Sequence, residues 1–271
     1  MKLSELKRKL AEVGVDSPHA EAKMIFDALG TASPLPDPDT EAVGITPAQM
    51  TDILARRGAG EPLQYILGVA WFYRESYLVS PACLIPRSDT EHLVEYAIAH
   101  LPKQARFLDM CTGSGCVAIS ILANRPDLTA VAVDISPDAL EIAKQNALRN
   151  GVADRITFLL RDAFTYLPET PFDGFFSNPP YIEREVVPTL AKEVQREPHS
   201  ALDGGVDGLD FYRHFCKNLS YYIYKEGICG MEIGYNQADA LKSLANAQGL
   251  NCKIQKDYGG LDRLAILSFP K

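Results

Sequence analysis

Asn178-Pro179-Pro180-Tyr181 brings together a side-chain amide, a backbone carbonyl set between two prolines and an aromatic ring. It directly follows the apolar run Phe172-Asp173-Gly174-Phe175-Phe176-Ser177, which reads as a strand, so these groups stand at that strand's carboxyl end. A set of this kind suits holding a planar NH2 group while something is transferred to its nitrogen. Two prolines in a row also make a rigid turn. The chemical reading is preferred because open α/β sheets bind ligands at the carboxyl ends of their strands.

A second cluster lies upstream in Asp109-Met110-Cys111-Thr112-Gly113-Ser114-Gly115-Cys116-Val117-Ala118, a G-x-G-x-x-A turn between a short strand and a helix. Nicotinamide and flavin enzymes use the same turn, whose glycines let backbone approach a ligand closely, so alone it discriminates poorly. Asp109 is the discriminating residue. Its carboxylate at the strand tip would repel a pyrophosphate in a partly desolvated cleft, but it would welcome a ligand with a cationic amino-acid end and no phosphate. S-adenosylmethionine, with its ammonium, sulfonium, ribose and adenine, is such a ligand. Asp134, at the end of the next strand, is placed to accept from ribose hydroxyls. Asp162, after the third, is placed to accept from an adenine amino group, with Ala163 and Phe164 offering apolar contact to the ring. Any one of these acids can simply solvate a strand end or cap a helix; three at successive strand ends beside the glycine loop make a site.

The elements that must position these groups follow from periodicity. Leu3, Leu6, Leu10 and Val13 recur at helical spacing before Gly14, and Ser17-Pro18 opens a helix with Ala22, Ile25, Phe26 and Leu29 inward and Gly30 after it. Ser33-Pro34-Leu35-Pro36-Asp37-Pro38 reads as a loop. Thr46-Pro47-Ala48-Gln49 is a capping box for a helix ending at Arg56-Arg57-Gly58. This predicts a small helical domain over residues 1–60. Residues 61–89 are a linker in which Tyr65-Ile66-Leu67-Gly68, Trp71-Phe72-Tyr73 and Tyr77-Leu78-Val79 are rich in β-formers and predict a hairpin. Over residues 90–271 strands alternate with helices: strands at Phe107–Asp109, Thr129–Asp134, Ile156–Leu160, Phe172–Ser177 and Ile228–Ile233, helices from Val117 to Ala123 and from Ser136 to Asn150. That alternation predicts an α/β fold with a parallel, doubly wound sheet. Lys253–Asp257 and Leu264–Phe269, with no helix between them, predict a terminal antiparallel hairpin.

Composition bounds the rest. With 271 residues, 46% apolar and 23% charged, the chain is an ordinary globular protein of one large and one small domain. No apolar run approaches the roughly 20 residues that span a bilayer, and the N-terminus, lacking an apolar secretory core, reads as a helix of the mature protein. Cys83, Cys111, Cys116, Cys216, Cys229 and Cys252 are scattered without a Cys-x-x-Cys pair, which predicts buried free thiols, a reducing cytoplasm and no metal site. The net charge of −8 counts against nucleic acid as the direct substrate.

With the glycine loop and Asn178-Pro179-Pro180-Tyr181 both in hand, the chain resembles the class I S-adenosylmethionine-dependent methyltransferases that modify planar nitrogens. Gly60-Glu61-Pro62-Leu63-Gln64-Tyr65-Ile66-Leu67-Gly68 and Leu84-Ile85-Pro86-Arg87-Ser88-Asp89-Thr90-Glu91 look like the HemK/PrmC family, as do Glu197-Pro198, Gly204-Gly205, Asp207-Gly208-Leu209 and Asp257-Tyr258-Gly259 with Asp262-Arg263. This family comprises protein-(glutamine-N5) methyltransferases of peptide-chain release factors. The resemblance implies a Rossmann-like methyltransferase domain behind a helical N-terminal domain. It also implies S-adenosylmethionine held by Asp109, Cys111, Thr112, Gly113, Ser114, Gly115, Asp134, Asp162, Ala163 and Asn178. The target amide would be held by Asn178, Pro179, Pro180 and Tyr181: the Asn178 side-chain oxygen and the Pro179 carbonyl accept its two N–H bonds, and Tyr181 packs on its face. Cys111 stands where the family often has glycine, and Ala163 where some relatives carry an aromatic residue.

The implied substrate is the Gly-Gly-Gln glutamine of class 1 release factors, met by a cytoplasmic monomer with no membrane partner. Rival substrates are a ribosomal-protein glutamine and, by chemistry, the N6 of DNA adenine. A substrate loop presented by a large partner needs contacts beyond the reacting atoms, so the N-terminal helices are expected to dock the release factor. Deleting residues 1–60 should then raise the Michaelis constant for the intact factor; an unchanged constant would remove that role.

Overall fold

The computed structural model describes residues 2–29 and 45–270 and resolves two compact units, residues 1–69 with 191–196, and residues 70–190 with 197–271. The sequence-based Ser33–Pro38 loop and the Gly30 stop lie outside the described residues.

The first unit holds α1 (Leu3–Glu12), α2 (Pro18–Ala28), α3 (Pro47–Gly58) and α4 (Leu63–Leu67). Leu3, Leu6 and Leu10 recur on one face of α1 and bury against Ala22, Ile25 and Phe26 of α2 and Met50 and Ile53 of α3. Val13, read as part of that stripe, is instead the exposed residue that ends α1, because Gly14 turns left-handed directly after it (φ 86°). The capping box forms in both directions: the Gln49 amide donates to the Thr46 hydroxyl, and the Thr46 amide donates to the Gln49 side chain. Ser17 stands at the N-cap of α2, but its hydroxyl makes no capping bond. Arg57 is almost wholly buried, its guanidinium 2.7 Å from Glu21 and 2.8 Å from Glu193, which ties α2, α3 and the 191–196 segment together.

Tyr65–Leu67, expected as strand, is helix. Pro62 precedes the first turn, Gly68 ends it left-handed (φ 70°), and burial of Leu63 and Tyr65 outweighs β-propensity. The two-stranded sheet is therefore confined to β1 (Val69–Phe72) and β2 (Glu75–Leu78).

After these come α5 (Glu91–His100), β3 (Arg106–Met110), α6 (Cys116–Asn124), β4 (Thr129–Asp134), α7 (Pro137–Arg149), β5 (Ile156–Leu160), β6 (Phe172–Ser177), α8 (Asp210–Tyr222), β7 (Ile223–Glu232), α9 (Ala238–Ala247), β8 (Asn251–Lys256) and β9 (Asp262–Ser268). They build a seven-stranded sheet in the order β5-β4-β3-β6-β7-β9-β8. The first five strands pair in parallel, and β9 lies antiparallel between β7 and β8. The expected doubly wound sheet with a terminal antiparallel hairpin is thus present. Side chains alternate across it: Phe107, Ala130, Ala132 and Phe176 join the core under α5, α6 and α7, whereas Leu108, Val131, Val133 and Phe175 join the core under α8 and α9. Successive strands run outward in opposite directions from β3 and β6, so the crevice at their carboxyl ends is the switch point where such sheets bind ligands.

One irregular stretch closes over that edge. The Ile182 amide donates to the Leu202 carbonyl at 3.0 Å and the Gly204 amide to the Ile182 carbonyl at 2.8 Å, which lays residues 202–208 along the Pro180–Ile182 backbone. A Cβ on Gly204 would sit 2.7 Å from Tyr181 Cα and 2.8 Å from the Pro180 carbonyl oxygen; on Gly208 it would sit 2.4 Å from the Tyr181 carbonyl oxygen. Gln237 clamps the same place, its side-chain NH2 donating to the Tyr181 carbonyl at 2.9 Å and the Gly208 carbonyl at 3.2 Å. Because the obstructing atoms at Gly204 are backbone, they cannot rotate away. Gly204→Ala should destabilise the protein by about 1–3 kcal/mol, read as a lower urea midpoint; a midpoint equal to wild type would refute the close approach.

Candidate active site

The cofactor half of the cleft is built by β3 and β4. Asp109, the penultimate residue of β3, is fully buried. One carboxylate oxygen, Oδ2, accepts from the Thr112 hydroxyl at 2.6 Å and from the Ala118 amide at 3.2 Å. The other, Oδ1, is buried without a hydrogen-bond partner among the described residues. Burial is the main reason its pKa is raised to about 7. Residues 111–115 then turn sharply: Gly113 and Gly115 are left-handed (φ 54° and 82°), and Cys111 adopts φ 62°, a conformation natural to glycine. A Cβ on Gly115 would meet Ile119 Cδ1 at 2.7 Å, which is why the turn can lie flat on α6, whereas Gly113 has open space where a Cβ would be. Asn146 of α7 fastens the turn from below, its amide NH2 donating to the Ser114 carbonyl at 2.9 Å.

Asp134 closes β4, and both its oxygens serve the backbone: Oδ2 accepts from the Gly113 amide at 2.8 Å and Oδ1 from the Ser136 amide at 2.9 Å. Burial raises its pKa despite these bonds. Asp162, just beyond β5, accepts from the Phe164 amide at 2.8 Å. Ala163 is buried beneath it, while Phe164 is exposed with its ring 4.7 Å from that of Phe211.

The second half hangs from β6. Ser177 donates to the Met110 carbonyl at 2.6 Å, locking the end of β6 to the end of β3. Asn178 follows, half-buried, its NH2 donating to the Thr90 hydroxyl at 3.1 Å. Thr90 in turn donates to Glu232 Oε2 at 2.5 Å, and the Tyr181 hydroxyl donates to Glu232 Oε1 at 3.1 Å. Glu232, at the end of β7, is fully buried, and burial carries its pKa up to about 7. Burial also pushes the Tyr181 phenol well above its ordinary value. Arg263 packs nearby, 3.2 Å from Asp89 and 3.3 Å from Asp257.

These halves share one cleft of about 350 Å³, within the size range of small-molecule sites. Asp109, Cys111, Thr112, Gly113, Ser114, Asp134, Asp162, Ala163, Asn178 and Pro180 all line it. Gly115, Pro179 and Tyr181 do not line it: Gly115 faces α6, Pro179 is buried, and Tyr181 turns its hydroxyl inward to Glu232. Sequence reasoning missed Glu232 as a site residue, although an acid ending the run Ile228-Cys229-Gly230-Met231 carries the same signal that singled out Asp109. It also passed over Thr90 and Gln237, whose roles no spacing announces. All six cysteines are free, with Cys83, Cys116, Cys216 and Cys229 buried and Cys111 and Cys252 partly so. No group of His, Cys, Asp or Glu among the described residues is arranged to hold a metal ion, and no described helix is long and apolar enough to cross a membrane.

The donor set fits S-adenosylmethionine. A buried carboxylate oxygen with no partner among the described residues matches an ammonium, and the glycine turn lines the cleft between the carboxyls of Asp109 and Asp134.

Comparison with known proteins identifies the family. The family described as "Methyltransferase small domain" matches residues 90–205, and that described as "PrmC N-terminal domain" matches residues 2–68. The release factor glutamine methyltransferase of Moorella thermoacetica is 38% identical over 271 residues, covering 96% of this chain and 95% of that one. That of Geobacter sulfurreducens is 40% identical over 214 residues, covering 78% and 75%. A solved ribosomal protein L11 methylase from Lactobacillus delbrueckii subsp. bulgaricus superposes with a TM-score of 0.54 at 16% identity, covering 71% of this chain and 84% of that chain; this likeness speaks to fold alone. The sheet order is that of the class I methyltransferases, and near-complete coverage by relatives of one kind decides among them: the chain belongs to the release factor glutamine methyltransferase family.

Proposed function

We propose that this protein transfers the methyl group of S-adenosylmethionine to the side-chain amide nitrogen (N5) of the glutamine in the Gly-Gly-Gln motif of class 1 peptide-chain release factors. The observation that carries this reading is the shared cleft. It joins the buried carboxylate of Asp109, one oxygen of which has no partner among the described residues, to the half-buried side-chain amide of Asn178 through adjacent strand ends. The Moorella and Geobacter relatives are release factor glutamine methyltransferases, the same reaction class.

When bound, S-adenosylmethionine supplies an electrophilic methyl group on a sulfonium. The chain's own residues do the rest. Asp109 Oδ1 would hold the ammonium end, Asp134 the ribose hydroxyls and Asp162 the adenine amino group, with Cys111 to Ser114 supplying backbone, Gly115 letting that turn pack on α6, and Ala163 apolar floor. Asn178 Oδ1 accepts one N–H bond of the target amide, and the carbonyl of Pro179, a buried residue between the cleft-lining Asn178 and Pro180, accepts the other. An amide nitrogen is a poor nucleophile because its lone pair is shared with the carbonyl. Two acceptors held in place orient that nitrogen and favour the geometry in which the lone pair is available, so orientation and fixed dipoles supply the acceleration. No strong base is required before transfer, because gaining the methyl group makes the nitrogen far more acidic. Pro180 stiffens the loop, and Tyr181 packs beside it.

Incubation with labelled cofactor and either a release factor, a ribosomal protein or DNA tests the substrate directly, with label expected on the release-factor glutamine. Asn178→Ala should lower turnover by about 100-fold or more, the scale of losing one preorganised polar contact, with cofactor affinity nearly unchanged. Asp134→Ala should do the reverse and weaken cofactor binding. Near-normal turnover in the first variant, or unchanged affinity in the second, would sink the corresponding assignment.

Cofactor binding should also depend on pH through Asp109. Its carboxyl is neutral below a pKa of about 7, and only the ionised form attracts an ammonium, so affinity falls as pH falls. Calorimetry should find binding about tenfold weaker at about pH 6 than at about pH 8, and Asp109→Asn should flatten that slope. A flat profile in the wild-type protein would contradict the ammonium assignment.

A further inference from the structure

Asn178 carries an oxygen acceptor and an NH2 donor on nearly identical shapes, and only the acceptor end can receive the N–H of a substrate amide. Something must therefore decide which end faces the cleft. We infer that Thr90, held by Glu232, is the positioning residue that fixes the sense of the Asn178 amide. This rests on the reading of Asn178 as the acceptor of the target amide.

The argument is one of hydrogen count. A threonine hydroxyl has one hydrogen to donate. Glu232 Oε2 takes it at 2.5 Å, and a carboxylate can only accept. Thr90 thus meets Asn178 purely as an acceptor, so the nearer end of the amide must be its NH2, at 3.1 Å. Oδ1 is left pointing away from Thr90, in a residue that lines the cleft. The other Glu232 oxygen accepts from the Tyr181 hydroxyl at 3.1 Å, so the chain Asn178–Thr90–Glu232–Tyr181 begins and ends in the same four-residue motif. Thr90 and Glu232 are both fully buried, and water cannot supply a substitute partner at no cost.

The charged groups facing Glu232 are Arg263, from β9, which favours the carboxylate, and Asp89, beside Thr90, which opposes it; the other titratable groups near it, Tyr181, Tyr212 of α8 and Cys116 of α6, are all pushed up by burial and stay neutral. Burial outweighs them and brings the group near pH 7. When Glu232 takes up a proton it no longer requires the Thr90 hydrogen, Thr90 becomes free to donate to Asn178, and the amide loses its enforced sense. Turnover is therefore lost as pH falls through the Glu232 titration.

Thr90→Val keeps the shape and removes the hydroxyl; Thr90→Ser keeps the hydroxyl. Assayed on intact release factor, Thr90→Val should lose about tenfold in kcat, one discriminating hydrogen bond's worth, with KM and cofactor Kd each within about threefold of wild type, and Thr90→Ser should recover most of the loss. Full kcat in Thr90→Val, or an equal loss in Thr90→Ser, would overturn the inference. Should the valine variant fail to fold, Glu232→Gln answers instead: it should lower kcat at pH 8 and abolish the acid limb of the kcat profile, and an unchanged profile would overturn the inference. Asn178→Ala separates this from the underlying reading. A slow Asn178→Ala with a fully active Thr90→Val rejects the positioning role alone, whereas an active Asn178→Ala rejects the assignment of the amide acceptor itself.

Discussion

Neighbouring strands of a parallel sheet run in one direction about 4.8 Å apart, so their carboxyl ends finish on a common edge. In this protein the register pairs Met110 with Val133 on one side and with Ser177 on the other. Most of the site is carried by residues within a few positions of that edge: Asp109 and the glycine turn from β3, Asp134 from β4, Asp162 from beyond β5, Asn178 from β6 and Glu232 from β7, while Thr90 comes from the segment before α5. The Ser177 hydroxyl on the Met110 carbonyl repeats the ladder's work at its very end, where the chain would otherwise splay. The helices pack on both faces of the sheet and leave that edge to the cleft.

Two buried carboxyls, Asp109 and Glu232, and a partly buried third, Asp134, at one edge are costly, because each would be better solvated in water. Their local partners show how the cost is offset and what each is for. Asp134 spends both oxygens on backbone amides and so shapes the glycine turn. Glu232 collects two hydroxyls and lies beside Arg263, which makes it an internal anchor. Asp109 alone keeps an oxygen with no partner among the described residues. Under the proposed function the cofactor's ammonium completes that set, so binding energy and electrostatic relief coincide.

Close backbone approach is the other recurring device. Gly204 and Gly208 let residues 202–208 lie directly on Tyr181, and Gln237 holds both strands of the contact from α9's N-terminal end. The rigid dipeptide Pro179-Pro180 is therefore braced from outside as well as stiffened from within. Cys111, left-handed at φ 62°, shows the same demand unmet by glycine: the turn's geometry prevails over the residue's preference.

Much of this was legible in the chain itself. Helical stripes, the Thr46 capping box and alternating apolar runs determined the helical N-terminal region, the doubly wound sheet and the terminal hairpin, because burial and capping act over a few residues and leave local periodicities. Motif order also placed Asp109, Asp134, Asp162 and Asn178 at strand ends, and parallel topology then required them to converge. Local propensity failed at Tyr65–Leu67, where Pro62, Gly68 and burial imposed a helix on β-forming residues. What only the tertiary structure decided was pairing across distance: Thr90 with Asn178, Glu232 with Thr90 and Tyr181, and Gly204 against Tyr181. No sequence spacing encodes these contacts, because hydrogen-bond direction and steric clearance depend on segments some 20 to 140 residues apart meeting at one point.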